Sequence, residues 1–147
     1  MAEKIPIGSD HAGFEIKNDL VQYLKELGYE PEDVGAAGKE SVDYPDFASE
    51  VAGKISRGER NRGVLVCGTG IGMSITANKF KGVRASLCMN EEMAELARMH
   101  NDANVLALGG RLIGRDQARA ILKKWLETEF EGGRHARRVK KIASLEE

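Results

Sequence analysis

The sequence predicts an α/β protein with a mostly parallel sheet covered by helices on both faces. Three observations lead there. Short β-rich runs alternate with helical periods along the first 130 residues. The internal strand candidates are rich in Val and Leu rather than alternating with polar residues, as strands buried on both faces must be. No repeat, low-complexity tract or linker breaks the pattern before residue 131. At 147 residues the chain can bury a proper core and reads as one domain, with 1–130 forming the α/β unit and 131–147 a tail helix of that domain.

The elements follow in order. Ile5 to Ser9 is strand-like. Ile16, Leu20, Tyr23, Leu24 and Leu27 then mark one helical face, which Gly28 ends. Glu32 to Gly35 is a short polar strand suited to a sheet edge. Pro45 fits a first helical turn, and Phe47, Val51 and Ile55 share a face behind it. Val64 to Cys67 is the third strand, with a helix from about Ile71 to Lys79. Val83 to Cys88 is the fourth, followed by Asn90 as cap of a helix with Met93, Leu96, Ala97 and His100 on one face. Asn104 to Leu108 is the fifth, and the next helix buries Ala118, Ile121, Leu122, Trp125 and Leu126. Pro6 conflicts with a central first strand because it cannot donate to a ladder, so it is expected at the strand's start or beside a bulge.

After Phe130 the segment EGGRHARRVKKIASLEE breaks at glycine and resumes a helical period at Val139, Ile142 and Ala143. The sandwich before it is already closed. A second subunit is the expected surface for this extra stripe, with packing on its own domain as the alternative.

Composition narrows the function. Apolar residues make up 41%, charged residues 31%, and the net charge is −1. That balance describes a soluble globular protein and argues against a general nucleic-acid binder. The basic tail carries no interleaved aromatics, so RNA stacking is not expected. No apolar window is long enough to span a membrane, and the N-terminus MAEKIPIGSDH carries no secretory pattern. Cys67 and Cys88 form neither a metal-ligand spacing nor a disulfide framework, which fits free thiols in a reducing cytoplasm.

The chemistry concentrates in VLVCGTGIGMSITANKF, Val64 to Phe80. In an open parallel sheet, ligands bind beyond the carboxyl ends of the strands. Gly68, Thr69, Gly70, Ile71 and Gly72 lie there and open a helix, so their backbone N–H groups can face an anion or a developing oxyanion. The spacing is not a dinucleotide fingerprint, because Met73 stands where the third glycine belongs. It is not a nucleoside-triphosphate loop either, since no Gly-Lys-Ser/Thr ending follows. A strand cysteine is commonly a small core side chain. Cys67, however, is the last strand residue before a helix N-terminus, where oriented N–H groups favour a thiolate. Cys88 has no such loop and is read as structural.

Further polar residues fall at strand and helix ends. Asp10 and His11 follow the first strand, Asp10 suiting a helix cap as well as a ligand contact. Arg111 follows the fifth strand. His100 closes the fourth helix, where it could equally serve the helix dipole. Arg134 and Arg138 are four apart on the tail helix, a fork for a phosphate or a solvated basic face.

Together GSDHAGFEIK, DYPDFA, CGTGIGMSITANK, the RA at Arg84, HNDANVLALGGR and EGGRHARRV resemble the type B ribose-5-phosphate isomerase family, which includes galactose- and allose-6-phosphate isomerases. The pieces run in order from residue 8 to about 139. The resemblance implies a Rossmann-like three-layer sandwich, a homodimer or tetramer with sites between subunits, and neither metal nor organic cofactor. It implies interconversion of D-ribose 5-phosphate and D-ribulose 5-phosphate, in the non-oxidative branch of the pentose phosphate pathway. By the same resemblance Cys67 transfers the proton, while Thr69 and the backbone of Gly68 to Gly72 stabilise the enediolate. His100 assists ring opening, Asp10 and His11 contact the sugar, and Asn101 binds its hydroxyls. Arg111, Arg134 and Arg138 bind the phosphate, some across the interface. Some members carry a carboxylate directly after the loop; Met73 occupies that position here. A hexose-6-phosphate isomerase and a non-catalytic phosphosugar-binding protein are the alternatives.

Overall fold

The computed structural model describes residues 2–146. Five parallel strands, β1 (Lys4–Ser9), β2 (Glu30–Asp33), β3 (Gly63–Cys67), β4 (Ala85–Leu87) and β5 (Val105–Gly109), form one sheet in the order β2-β1-β3-β5-β4. The helices are α1 (Phe14–Glu26), α2 (Tyr44–Ser56), α3 (Ile71–Ala77), α4 (Glu91–Asn101), α5 (Arg115–Glu127) and α6 (Arg134–Ser144). The connection leaves β1 toward β2 at one edge and returns past it to β3. A topological switch point therefore lies between β1 and β3, where a crevice opens at their carboxyl ends.

Strand periodicity divides the core into two layers. Ile5, Ile7, Val64, Val66, Leu106 and Leu108 face α1, α4 and α5, with Trp125 fully buried among them. Leu65, Cys67 and Val105 face α2 and α3, with Val51 and Met73. The buried set expected on α5, from Ala118 to Leu126, is buried as the periodicity requires.

Several boundaries differ from the sequence reading. The second strand runs Glu30–Asp33, two residues earlier than expected, because Glu30 already pairs beside Lys4; it is the edge strand. The fourth is only Ala85–Leu87, since Phe80 to Val83 forms a turn and the Arg84 N–H is taken by the Asn104 side chain. Pro6 sits inside β1 without a bulge, paired in unbroken register with Glu32. The carbonyls of Ile7 and Ser9 bond toward β2, whereas the Asp10 N–H bonds Val66 in β3. Even positions thus face β3, and Pro6 stands beside Gly63, the first residue of that strand, so an N–H there would point at Arg62, before β3 begins. Its missing N–H costs the ladder nothing.

On α4 the buried residues are Ala94 and Ala97, while Met93 and Leu96 are exposed. Alanines on the inner face let α4 lie close to α5, leaving the longer side chains outside. The tail packs on its own domain, the alternative course. The first turn of α6 docks on α4 of its own domain through His135, while Ile142 and Leu145 stay exposed, Leu145 by 84%. Among the described residues, no helix is long and apolar enough to cross a membrane.

Candidate active site

Three loops meet at the carboxyl ends of β1, β3 and β5. The Gly110 N–H donates to the Cys67 carbonyl at 2.7 Å and the Arg111 N–H to the Gly68 carbonyl at 3.0 Å. Gly109 makes this contact possible, because a Cβ there would sit 2.7 Å from the Thr69 carbonyl oxygen. The Arg111 side chain, exposed at its end, passes over Gly68.

Within the β3–α3 loop, Gly70 turns the chain at φ +81°, and the Gly70 N–H donates to the Cys67 Sγ at 3.1 Å. Thr69 Oγ1 accepts the Ile71 N–H at 3.2 Å, which leaves the hydroxyl proton to be donated elsewhere. The first intrahelical bond of α3 runs from Ser74 to the Gly70 carbonyl, so the N–H groups of Gly72 and Met73 have no helical acceptor. The loop therefore offers a thiol, a hydroxyl and unpaired backbone donors within one turn. Met73 itself is buried in the core against α2, so its side chain takes no part at the mouth. Burial pushes the Cys88 thiol pKa up to about 11.

Asp10 is buried and works as a cap. Its Oδ1 accepts the N–H groups of Ala12 and Gly13 at 3.0 and 3.1 Å, opening the single 3-10 turn His11–Gly13 that leads into α1. His11 Nδ1 accepts the Val42 N–H at 3.2 Å, which leaves the ring proton on Nε2. His11 and Arg111 line one cleft of about 380 Å³ together with Lys39 and Glu15, which form an ion pair. Polar donors and positive charge on one wall of a cleft suit an anionic ligand.

Four expected residues lie elsewhere in the chain. His100 and Asn101 end α4, which runs back against the strands, and so they sit at the opposite end of the sheet from Cys67. Asn101 lines a separate cavity of about 440 Å³ with Arg84, Ala85 and Ile142, beside the start of β4. Arg134 and Arg138 are exposed on α6, whose first turn rests on α4. The chain thus carries two clusters. One gathers Asp10, His11, Cys67, Thr69 and Arg111; the other gathers His100, Asn101, Arg134 and Arg138.

The structure also adds residues that sequence reasoning left out. Tyr44 lies over the loop, since a Cβ on Gly72 would meet its ring at 2.5 Å. The signal for it was present in DYPDFA, read as a helix start and as part of the family resemblance but given no site residue. Lys39 had no signal, being one lysine in a polar loop. His135 stands between the two tail arginines and stacks on His100, with ring centroids 4.2 Å apart.

Comparison with known proteins shows the family. Residues 5–142 match the family described as Ribose/Galactose Isomerase. Ribose-5-phosphate isomerase B of Escherichia coli is 47% identical over 145 residues, covering 99% of this chain and 97% of that protein. D-erythrulose-4-phosphate isomerase of Pectobacterium atrosepticum is 44% identical over 144 residues, covering 97% of this chain and 94% of its own length. The structure of Clostridium thermocellum ribose-5-phosphate isomerase B superposes with a TM-score of 0.95 at 54% identity, covering 97% of each chain. On that match, and on the loop cluster it spans, the chain belongs to the ribose/galactose isomerase family.

Proposed function

We propose that this chain interconverts D-ribose 5-phosphate and D-ribulose 5-phosphate through an enediolate, with Cys67 as the base. The reaction is a step of the non-oxidative pentose phosphate pathway. The observation that carries the reading is the Gly70 N–H bond to the Cys67 sulfur, set beside the unpaired donors of the same loop.

The residues map onto the steps. With the sugar open, the Cys67 thiolate takes the C2 proton; the C–H electron pair forms the C1–C2 double bond and the carbonyl pair moves onto O1. The loop N–H groups and the Thr69 hydroxyl stabilise that oxyanion. A proton passes from O2 to O1, the thiol returns its proton to C1, and O2 becomes the ketone. Asp10 and His11 contact the sugar, Asn101 binds its hydroxyls, and Arg111, Arg134 and Arg138 hold the phosphate. His100 opens the furanose. None of these steps calls for a metal or an organic cofactor.

Because the two clusters lie at opposite ends of the sheet, a complete site needs two copies: the loop cluster of one and the α4–α6 cluster of the other. Exposed apolar residues on α3 (Ile71 and Ile75), α4 (Met93 and Leu96), α6 (Ile142) and just after it (Leu145) leave surface for such a homodimer. Ribose 5-phosphate turnover that persists in EDTA and vanishes in Cys67→Ala is the expected result. Binding without turnover would make the chain a phosphosugar-binding protein instead, and faster turnover of a hexose phosphate would change the substrate. The D-erythrulose-4-phosphate isomerase relative makes a four-carbon sugar phosphate the second substrate to test.

A further inference from the structure

His135 is the one residue of α6 that is buried, at 5% exposed, and its Nε2 has no hydrogen-bond partner. Its ring lies flat on that of His100, with planes inclined by 10° and centroids 4.2 Å apart. The segment before it is shaped to deliver that ring. The Glu131 N–H donates to the Met99 carbonyl at 3.1 Å, next to His100 in sequence. Gly132 and Gly133 then both adopt positive φ, at 72° and 57°, and turn the chain so that α6 begins over the end of α4.

Three donor groups, on His100, Glu131 and His135, lie within 4.8 Å of one another. They are not arranged for chelation. Imidazole lone pairs lie in the ring plane, and two nearly parallel stacked planes cannot aim both at one ion. The contact is a stack, and a stack fixes a ring's plane.

We propose that His135 is a positioning residue for His100, its stacked ring holding the His100 imidazole in the orientation needed to act on the sugar ring. The inference rests on the ring-opening role of His100. It supplies what that role lacks: His100 is half-buried in the last turn of α4, just before Asp102 takes up a left-handed conformation at φ 47°, and helix ends of this kind fray. Charge sharpens the arrangement. Burial first, then the neighbouring His100 and Arg134 with a smaller push from Arg138, lower the pKa of His135, against the pull of Glu131. These groups face His135 from α4, from the turn and from α6 itself. Two stacked imidazolium rings repel, which adds to the cost of charging His135 against His100.

The test compares His135→Phe, His135→Leu and His135→Ala on ribose 5-phosphate across the neutral pH range. A phenyl ring can still stack; leucine fills similar space without a flat face. His135→Ala and His135→Leu are expected to lose about 10–100-fold in kcat/KM, the usual cost of a misplaced catalytic group. His135→Phe should recover most of it, with a shallower acid limb because one titrating ring is gone. Equal activity of the Leu and Phe variants, or an acid limb unchanged in His135→Phe, overturns the proposal. Proton NMR of His100 gives a readout independent of turnover: its ring protons should be shifted upfield in wild type and His135→Phe and relax in His135→Leu. A wild type that shows the shift without isomerising the sugar sinks the function reading alone. Absence of the shift sinks the stack.

Discussion

The Gly70 N–H donates to the Cys67 Sγ at 3.1 Å across a single turn of chain. The donor belongs to a residue that must be glycine on two counts. Its φ is +81°, and a Cβ would sit 2.5 Å from Leu87 Cδ1 and 2.9 Å from the Leu108 carbonyl carbon. The loop that presents the thiol is therefore held by backbone sterics against β4 and β5. Gly70→Ala should destabilise the fold by about 2–4 kcal/mol, from left-handed strain plus overpacking. Thermal unfolding measures the loss, and turnover by the folded fraction should fall with it as the loop shifts off the sulfur.

Cys67→Ala is the complementary change. It removes one buried sulfur atom, a cost of about 1–2 kcal/mol that a domain of this size tolerates. Isomerisation should be abolished while the melting temperature falls only a few degrees. A variant that keeps substantial activity would take the base away from Cys67.

If the site joins two copies, two dead variants can repair each other. Cys67→Ala and His100→Ala, unfolded together and refolded, should regain about a quarter of wild-type activity, because half the dimers would be mixed and each would hold one intact site of two. Each variant refolded alone is the control. Recovery no higher than the controls would put both residues in a site made by one chain.

His100→Ala also separates ring opening from proton transfer. A four-carbon aldose phosphorylated on O4 has no hydroxyl left to close a furanose, so it needs no ring opening. The variant should lose far more activity on ribose 5-phosphate than on D-erythrose 4-phosphate. Equal losses would give His100 a different task. Arg138→Ala, by contrast, is expected mainly to raise KM on ribose 5-phosphate, since a phosphate grip holds substrate and transition state alike.

Acid stability has a separate origin. Arg119 donates to both carboxylate oxygens of Asp19 at 2.8 Å, and this pairing holds the Asp19 carboxyl below its usual range. A lowered folded pKa means that the unfolded state binds the proton more readily. The contribution is therefore complete above the unfolded value of about 4 and is lost as the pH falls through the folded value. Asp19→Asn should cost about 1 kcal/mol at neutral pH, the pair being partly exposed. The gap between wild type and variant should narrow as the pH falls below about 4 in urea titrations. A gap that persists in acid would mean that packing, not charge, carries the effect.

Much of this architecture was legible in the sequence because it follows from local rules. Apolar runs flanked by glycine and helical periods gave the buried inner strands β1, β3 and β5 and their covering helices. Asn90 caps α4 as read, with Oδ1 accepting the Met93 N–H at 2.8 Å. Cys67 stood out because one segment of chain holds a strand end, a glycine turn and a helix start. Pro6 shows the limit of such rules: whether a missing N–H matters depends on where the neighbouring strand begins, and register is set by long-range pairing. The pairing of His100 with His135 lies further from sequence reasoning. Those residues are brought together by two positive-φ glycines and one backbone bond to Met99, and no periodicity encodes where a folded tail will land. The sequence by itself determined the sheet, its layers and the loop that carries the thiol, because these depend on neighbours in the chain. Tertiary structure alone decided that the candidate residues form two separate clusters, because distance between elements depends on how the whole sheet is wound.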